Sequence, residues 1–335
     1  VSDGVVRVID AGLLTTIQDG HGRPGLGRFG VPPGGAMDAA AADLANRLVG
    51  NRGDAAVLEM TLKGPVLAWD APALVGLAGA DLGAEAEHLR LAPGHAHHLA
   101  AGAVLAFRWT SDGQRGARAY LAVEGGFPIE PILGSASTDR RSGFGGFAGR
   151  ELRDGDRLHF RAGTPGPLRS LVHGDRPAED RPVDPRAPVE IRLVPVPADP
   201  DWFGPEALPT LRDATWTVTG DSDRNGIRLG GGARVPVMTG RIASLGVPVG
   251  SVQVPASGEP IITMVDGPVT GGYPVIGVVP RLDHGRLAQL PPGAAVRFRV
   301  VDVGAARALA RAAAEAAAHD RIELDPGDVG AGWAV

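Results

Sequence analysis

The sequence predicts a mainly β chain of two domains with a few helices, and three observations predict it. Of 335 residues, 50 are glycine and 29 proline, just under a quarter of the chain. That density breaks up long helices and marks many turns between short strands. The apolar residues reach 44%, enough to build cores and to exclude a disordered chain. A turn-and-strand pattern, L-x-x-G-x-x-[LV]-x-F, recurs at Leu99–Phe107, Leu152–Phe160 and Leu290–Phe298, and G-V-P-x-G recurs at Gly30–Gly34 and Gly246–Gly250. Either turn-strand units simply repeat, as in any β protein, or two related β domains flank a connection.

The elements follow in order. Val5–Ile9 is rich in β-branched residues and reads as a strand. A loop dense in glycine and proline follows, from Gln18 to Gly35. Met37–Val49 is the first helix, with Met37, Ala40, Ala41, Leu44 and Leu48 on one stripe and Gly50-Asn51 as its stop. Short strands and turns fill 57–160. Residues 161–189 lose apolar periodicity to Pro, Arg, Asp and Gly and read as a connection. Strands resume at Val189–Val194, Thr215–Val218, Ser251–Val254, Ile261–Val265 and Val296–Val301. An Ala- and Arg-rich helix spans Gly304–His319, and a loosely held tail closes the chain. The boundaries are thus 1–165, 166–188, 189–303 and 304–335.

Composition excludes several chemistries. There is no cysteine, so disulfides, thiolate nucleophiles and cysteine metal sites are absent. Lys63 is the one lysine, and no G-x-x-x-x-G-K-[ST] phosphate loop exists. A net charge of −5 argues against nucleic acid or an anionic membrane as partner. No apolar run has the length of a membrane span, and Val1–Arg7 lacks a leader pattern, so the expected location is the cytoplasm.

Several motifs carry polar chemistry. Gly25–Gly30 matches G-x-G-x-x-G, but Pro32-Pro33-Gly34-Gly35 oppose the helix that a dinucleotide site requires. Asp19, Arg23 and Arg28 in this loop suit a polar ligand. His95, His97 and His98 lack a nearby carboxylate and read as a strand edge rather than a metal site. Ser135–Arg141 is either a capped turn or a ligand contact. Asp221–Leu229 places two aspartates and two arginines together, for ion pairing or for holding a carboxylate. Asp266–Pro274 joins a carboxylate, a Gly-Gly pair and Tyr273. A phenol beside Asp266 suits proton transfer or holding a carbonyl oxygen; the alternative is a tight turn with a packed tyrosine.

The segments Thr16–Gly20, Gly30–Pro32, Gly34–Asp38, Asn46–Asn51, Tyr120–Gly126, Leu133–Ser135, Ser137–Asp139, Ser222–Arg224, Gly226–Leu229, Gly250–Pro255 and Thr270–Pro274 together resemble the A/B-type carboxyltransferase family. Its members include the C-type subunit of 5-oxoprolinase, proteins named allophanate hydrolase subunit 2, and the carboxyltransferase region of urea carboxylase. The resemblance implies two cyclophilin-like β-barrel domains and work inside a complex with a B-type and an A-type subunit. It implies action on a small amide or lactam, most directly ATP-dependent opening of 5-oxoproline to glutamate. The alternatives are carboxyl transfer to urea from carboxybiotin supplied in trans, and regulation of a kinase-inhibitor-like B-type partner. ATP is then handled with or by partner subunits. Lys63 lies in Leu62-Lys63-Gly64, not between methionines, so no biotin is attached here.

The residues expected at the reacting amide under this resemblance are Asp266 and Tyr273, with Arg224 and Arg228 on a carboxylate. Asp19, Arg23 and Asp38 are expected on a facing wall. Lys63, Glu59, Ser137, Thr138, Gln253, Thr270, Gly271 and Gly272 complete the set; no metal ligand is expected. Two positions depart from the family pattern: Gly267 replaces a polar residue, and Val269 replaces threonine.

Overall fold

The structure is a computed structural model that describes residues 2–108, 116–172, 187–197, 199, 201–238, 241–319 and 321–324. The chain divides into two compact units. One comprises 1–23, 34–175 and 318–335; the other comprises 24–33 and 176–317. The 24–33 segment, read above within the first domain, therefore clusters with the second unit. Most of the expected 166–188 connection lies outside the described residues.

In the first unit the strands are β1 (Ser2–Asp10), β2 (Leu14–Gln18), β3 (Val57–Thr61), β4 (Val66–Trp69), β5 (Ala73–Gly79), β6 (Glu85–Ala86) and β7 (Leu89–Arg90). They continue with β8 (His95–Leu99), β9 (Val104–Ala106), β10 (Arg118–Val123), β11 (Arg157–Ala162) and β12 (Arg169–Val172). One sheet runs β11-β1-β4-β9-β6-β7. The other runs β2-β3-β10-β5-β8-β12 and ends on β22 (Arg321–Leu324). The tail expected to hang loosely thus contributes an edge strand, with Leu171 opposite Ile322.

Alternation along β10 serves two cores. Ala119, Leu121 and Val123 join Val6, Leu58, Leu67, Val75 and Phe160 in one, where Trp69 meets Phe160 edge-on at 5.1 Å. Tyr120 and Ala122 face helix α1 (Ala39–Leu48) in the other. The helix starts two residues later than the periodicity predicts. Glu59 takes the Met37 N–H, and the Asp38 side chain caps the Ala41 N–H at 3.1 Å, so Asp38 is the cap and not a helical residue. Its buried stripe is Ala41, Ala42, Ala45 and Leu48; Ala40 is exposed. Close packing needs Gly76 on β5, where a Cβ would stand 2.3 Å from the Ala45 carbonyl oxygen. The fully buried Leu48 alone is worth about 1.5–3 kcal/mol of transfer free energy.

The second unit is a closed seven-strand barrel. Its strands and helices are β13 (Val189–Pro195), α2 (Ala207–Asp213), β14 (Trp216–Val218), β15 (Gly226–Gly230), β16 (Leu245–Gly246), β17 (Ser251–Gln253), β18 (Ile261–Thr263), β19 (Thr270–Gly271), β20 (Val275–Val278), α3 (His284–Ala288), β21 (Ala295–Val300) and α4 (Val303–His319). The barrel order is β13-β20-β17-β18-β15-β14-β21, closed by parallel pairing of β13 with β21, Ile191 opposite Phe298. A buried ion pair, Arg192 Nη1 to Asp283 Oδ1 at 2.7 Å, ties β13 to the turn before α3. Among the described residues β16 and β19 pair only with each other, as a ribbon outside the barrel order. The mainly β fold class is therefore as expected. Helices α2 and α3 are short and amid turn residues, where periodicity has no length to show.

Candidate functional site

Within the second unit a cleft of about 450 Å³ is lined by Gly25, Gly27, Arg28, Pro33, Gly246–Val249, Thr263, Met264, Gly267 and Val269. Both copies of G-V-P-x-G border it, one through Pro33 and the other through Gly246–Val249. The G-x-G-x-x-G match supplies Gly25, Gly27 and Arg28. Gly27–Phe29 is one 3-10 turn ended by Gly30 at φ 80°, and the next helix among the described residues begins at Ala39, as the prolines predict. Apolar walls from Val247, Val249, Met264 and Val269 face two polar features. One is Arg28, whose guanidinium sits 4.7 Å above the Phe29 ring; the other is Thr263.

The wall containing Met264 and Gly267 is pinned from behind. Arg224 binds Asp266 through Nε at 2.7 Å and Nη2 at 2.9 Å, and the Asp266 N–H donates to the Arg224 carbonyl. The Met264 N–H donates to the Asn225 carbonyl. The side chains are 3% and 13% exposed, so the pair is largely desolvated. Asp266 is thus brought to Arg224, where its two oxygens brace the loop that lines the cleft. Arg228 is exposed on β15, its N–H bonded to Ser222 Oγ. Thr270 is exposed, while Gly271, Gly272 and Tyr273 are half-buried along the β19 arm of the ribbon. Gln253 is buried beneath that arm: a Cβ on Gly271 would lie 2.6 Å from Gln253 Nε2.

The remaining expected residues form two buried hubs in the first unit. Asp19 is 2% exposed. It accepts from Ser135 Oγ (2.6 Å), the Gly22 N–H (2.7 Å), the Ala136 N–H (2.8 Å) and Ser137 Oγ (2.9 Å). Burial pushes its carboxyl up, but these four bonds outweigh it and hold it below the ordinary value. Beside it Arg23 donates to the carbonyls of Ile132, Ser135 and Ser137 and lies over Phe144. Thr138 Oγ1 donates to the Ile17 carbonyl. In the second hub Tyr120 Oη donates to Glu59 Oε2 at 2.9 Å and accepts from the Asp38 N–H at 2.8 Å. Burial first, then the charges of Glu59 and Asp38, push the phenol well above its usual range. Lys63 pairs with Asp10 at 2.6 Å on the surface.

The expected residues therefore fall into separate clusters: Asp19 with Arg23, Ser137 and Thr138; Asp38 with Glu59; Arg224 with Asp266; and Gln253 with Gly271. The cleft residues Thr263, Met264 and Gly246–Val249 were not among them. The signal for Gly246–Val249 was present in the sequence as the repeated G-V-P-x-G; Thr263 and Met264 lie outside that repeat. Among the described residues no group of three or more His, Asp or Glu converges on a metal position, and no helix is long and apolar enough to cross a membrane.

Residues 29–300 match the family described as carboxyltransferase domain, subdomain A and B. The chain belongs to this carboxyltransferase family. It is 34% identical over 299 residues to the C-type subunit of 5-oxoprolinase from Escherichia coli K12, covering 88% of this chain and 90% of that one. It is 33% identical over 308 residues to a putative urea carboxylase of Emericella nidulans, covering 89% of this chain but only 24% of the fungal one. The crystal structure of Kluyveromyces lactis urea carboxylase superposes with a TM-score of 0.79 at 27% identity, over 93% of this chain and 28% of that one. Family and fold thus agree with the resemblance drawn from the motifs.

Proposed function

We propose that the chain is a subunit of a cytoplasmic multi-protein enzyme that opens the lactam of 5-oxoproline to glutamate with ATP, assembled with a B-type and an A-type subunit. The observation that carries this reading is the 34% identity that runs through 90% of the C-type subunit of 5-oxoprolinase. The likeness to urea carboxylase of Emericella nidulans covers 24% of that protein. The second-unit cleft suits a small ring bearing one carboxylate. In this reading Arg28 pairs with the carboxylate, Thr263 hydrogen-bonds a carbonyl, and Val247, Val249 and Val269, all lining the cleft, pack on ring methylenes. Gly267 and Val269, the two departures from the family pattern, both line this cleft and make it more apolar.

The cleft and Lys63 offer little to the phosphates of ATP. Lys63 is held by Asp10 in Leu62-Lys63-Gly64, and Arg28 is the cleft's single cation among the described residues. Nucleotide handling is accordingly assigned to partner subunits, and under the second reading carboxybiotin is supplied in trans. The second reading, carboxyl transfer to urea or a related amide, is favoured by the structural likeness to urea carboxylase.

The test is reconstitution of this chain with its A-type and B-type subunits, measuring 5-oxoproline-dependent ATP hydrolysis and glutamate release. Turnover should require this chain. Arg28→Ala should raise KM by about 10-fold or more, the worth of one charge-assisted hydrogen bond. A stable complex with no glutamate release sinks the reading, and carboxylation of urea by added carboxybiotin then decides for the second. An unchanged KM in Arg28→Ala removes the cleft from the reaction.

A further inference from the structure

Strands β17 and β18 pair with Val252 opposite Ile262 and Gln253 opposite Ile261. Alternation then sets Val252 and Ile262 on one face and Ser251, Gln253, Ile261 and Thr263 on the other. The polar residues of the second face are buried: Ser251, Gln253 and Thr263 are 1%, 5% and 3% exposed. Ser251 Oγ satisfies itself on the Pro248 carbonyl at 2.7 Å, and Thr263 lines the cleft. Gln253 Nε2 is different. It is buried and has no hydrogen-bond partner among the described residues. An unmet buried donor costs about 1–3 kcal/mol, and such a cost points to a partner outside the folded chain.

The covering over Gln253 is thin. A Cβ built on Gly271 would stand 2.6 Å from Gln253 Nε2 and 3.1 Å from Val247 Cγ2. Val247 is itself a wall of the cleft. Gly271 thus lies against both the orphaned amide and a residue that lines the cleft. Gly271 and Val247 belong to the ribbon arms, joined to each other by Leu245–Gly271 pairing and by the Val247 N–H to the Val269 carbonyl. The ribbon pairs with no barrel strand among the described residues.

We propose that Gln253 is the specificity-determining donor of this cleft: its Nε2 donates to an acceptor oxygen, an amide carbonyl or a carboxylate, of a small ligand that reaches beneath the β16–β19 ribbon. A site holding a buried donor for one oxygen rejects analogues that lack it far more strongly than a purely apolar pocket does. The choice of 5-oxoproline as first probe rests on the function proposed above; the orphaned donor does not.

The experiment uses the reconstituted complex with wild-type chain, Gln253→Met and Gln253→Glu. Gln253→Met keeps the volume and removes the donor; Gln253→Glu keeps the shape and offers an acceptor. The expected result is a KM for 5-oxoproline raised by about 10-fold or more in both, with kcat less affected. Tm should be unchanged or higher in Gln253→Met, because the wild-type donor has nothing to lose. Gly271→Ala, which presses on Nε2, should reproduce the KM rise, and in a nitrogen-labelled chain the Gln253 side-chain amide resonance should shift on titration with 5-oxoproline. An unchanged KM in Gln253→Met overturns the proposal whatever Tm does, and so does a silent resonance in a complex that turns the probe over. If the wild-type complex does not act on 5-oxoproline, the same resonance is followed with urea. A shift sustains Gln253 while the lactam reading falls; silence toward both probes overturns Gln253 as well.

Discussion

Asp266 looks like a reacting carboxylate in the sequence and is a brace in the structure. Both of its oxygens are engaged by Arg224 in a bidentate pair with little solvent around it. Breaking a desolvated pair of this kind by removing one member costs about 3–5 kcal/mol. Arg224→Ala and Asp266→Asn are therefore expected to lower stability in urea melts by amounts of that order. Their effect on turnover should follow the fraction folded, with kcat per folded molecule largely retained. A variant of full stability that loses kcat would return Asp266 to the reacting centre. The residue types in this motif pointed to a carboxylate near a guanidinium, and that much was legible. The direction of the pair was not, because sequence spacing does not say whether two charges face each other or a ligand.

The 135–139 loop is an element fastened to the end of β2 by Asp19 and Arg23. Its sequence reads equally as capped turn or ligand contact; the hydrogen bonds show each hydroxyl turned inward, Ser135 and Ser137 on Asp19 and Thr138 on Ile17. This fastening has a pH signature. The Asp19 carboxyl sits below its ordinary value of 3.8 in the folded chain. Its stabilising contribution is thus complete above that value and is lost as pH falls through the lower, folded one. Stability of the first unit should hold from neutral pH down to the ordinary carboxylate value and then decline, and Asp19→Asn should flatten that acid limb while lowering the neutral plateau. Chemical denaturation across acid pH checks it; an acid limb of the same slope in Asp19→Asn assigns the effect to other carboxylates. Helix α1 was legible at this scale because its stripe, cap and stop agree, although the buried stripe is Ala41, Ala42, Ala45 and Leu48 instead of the one including Ala40. Strand β22 was not legible: Arg321–Leu324 is four residues long, and only pairing with β12 makes it a strand.

For the whole molecule, domain order in the chain and domain membership in space differ. All seven barrel strands lie within 189–300, yet the second unit also takes in 24–33, which supplies Gly25, Gly27, Arg28 and Pro33 to its cleft. Sequence reading assigns that segment to the first domain by proximity, since linear order is the only distance a sequence offers. The consequence is testable with a fragment of residues 176–317. It retains every barrel strand, so its strands should stay protected in amide exchange. It lacks one side of the cleft, so the ribbon amides of Ile242 and Val247, bonded to the Gly272 and Val269 carbonyls, should exchange faster than in the full chain. Local openings of this kind depend on how few contacts hold an element down. Adding a peptide of residues 24–33 should restore the slower exchange. If ribbon exchange in the fragment equals that in the full chain, the segment contributes nothing to the unit it clusters with. The cleft would then be a feature of the barrel and its ribbon alone, and Arg28 would lose its place in ligand binding while Gln253 kept its own.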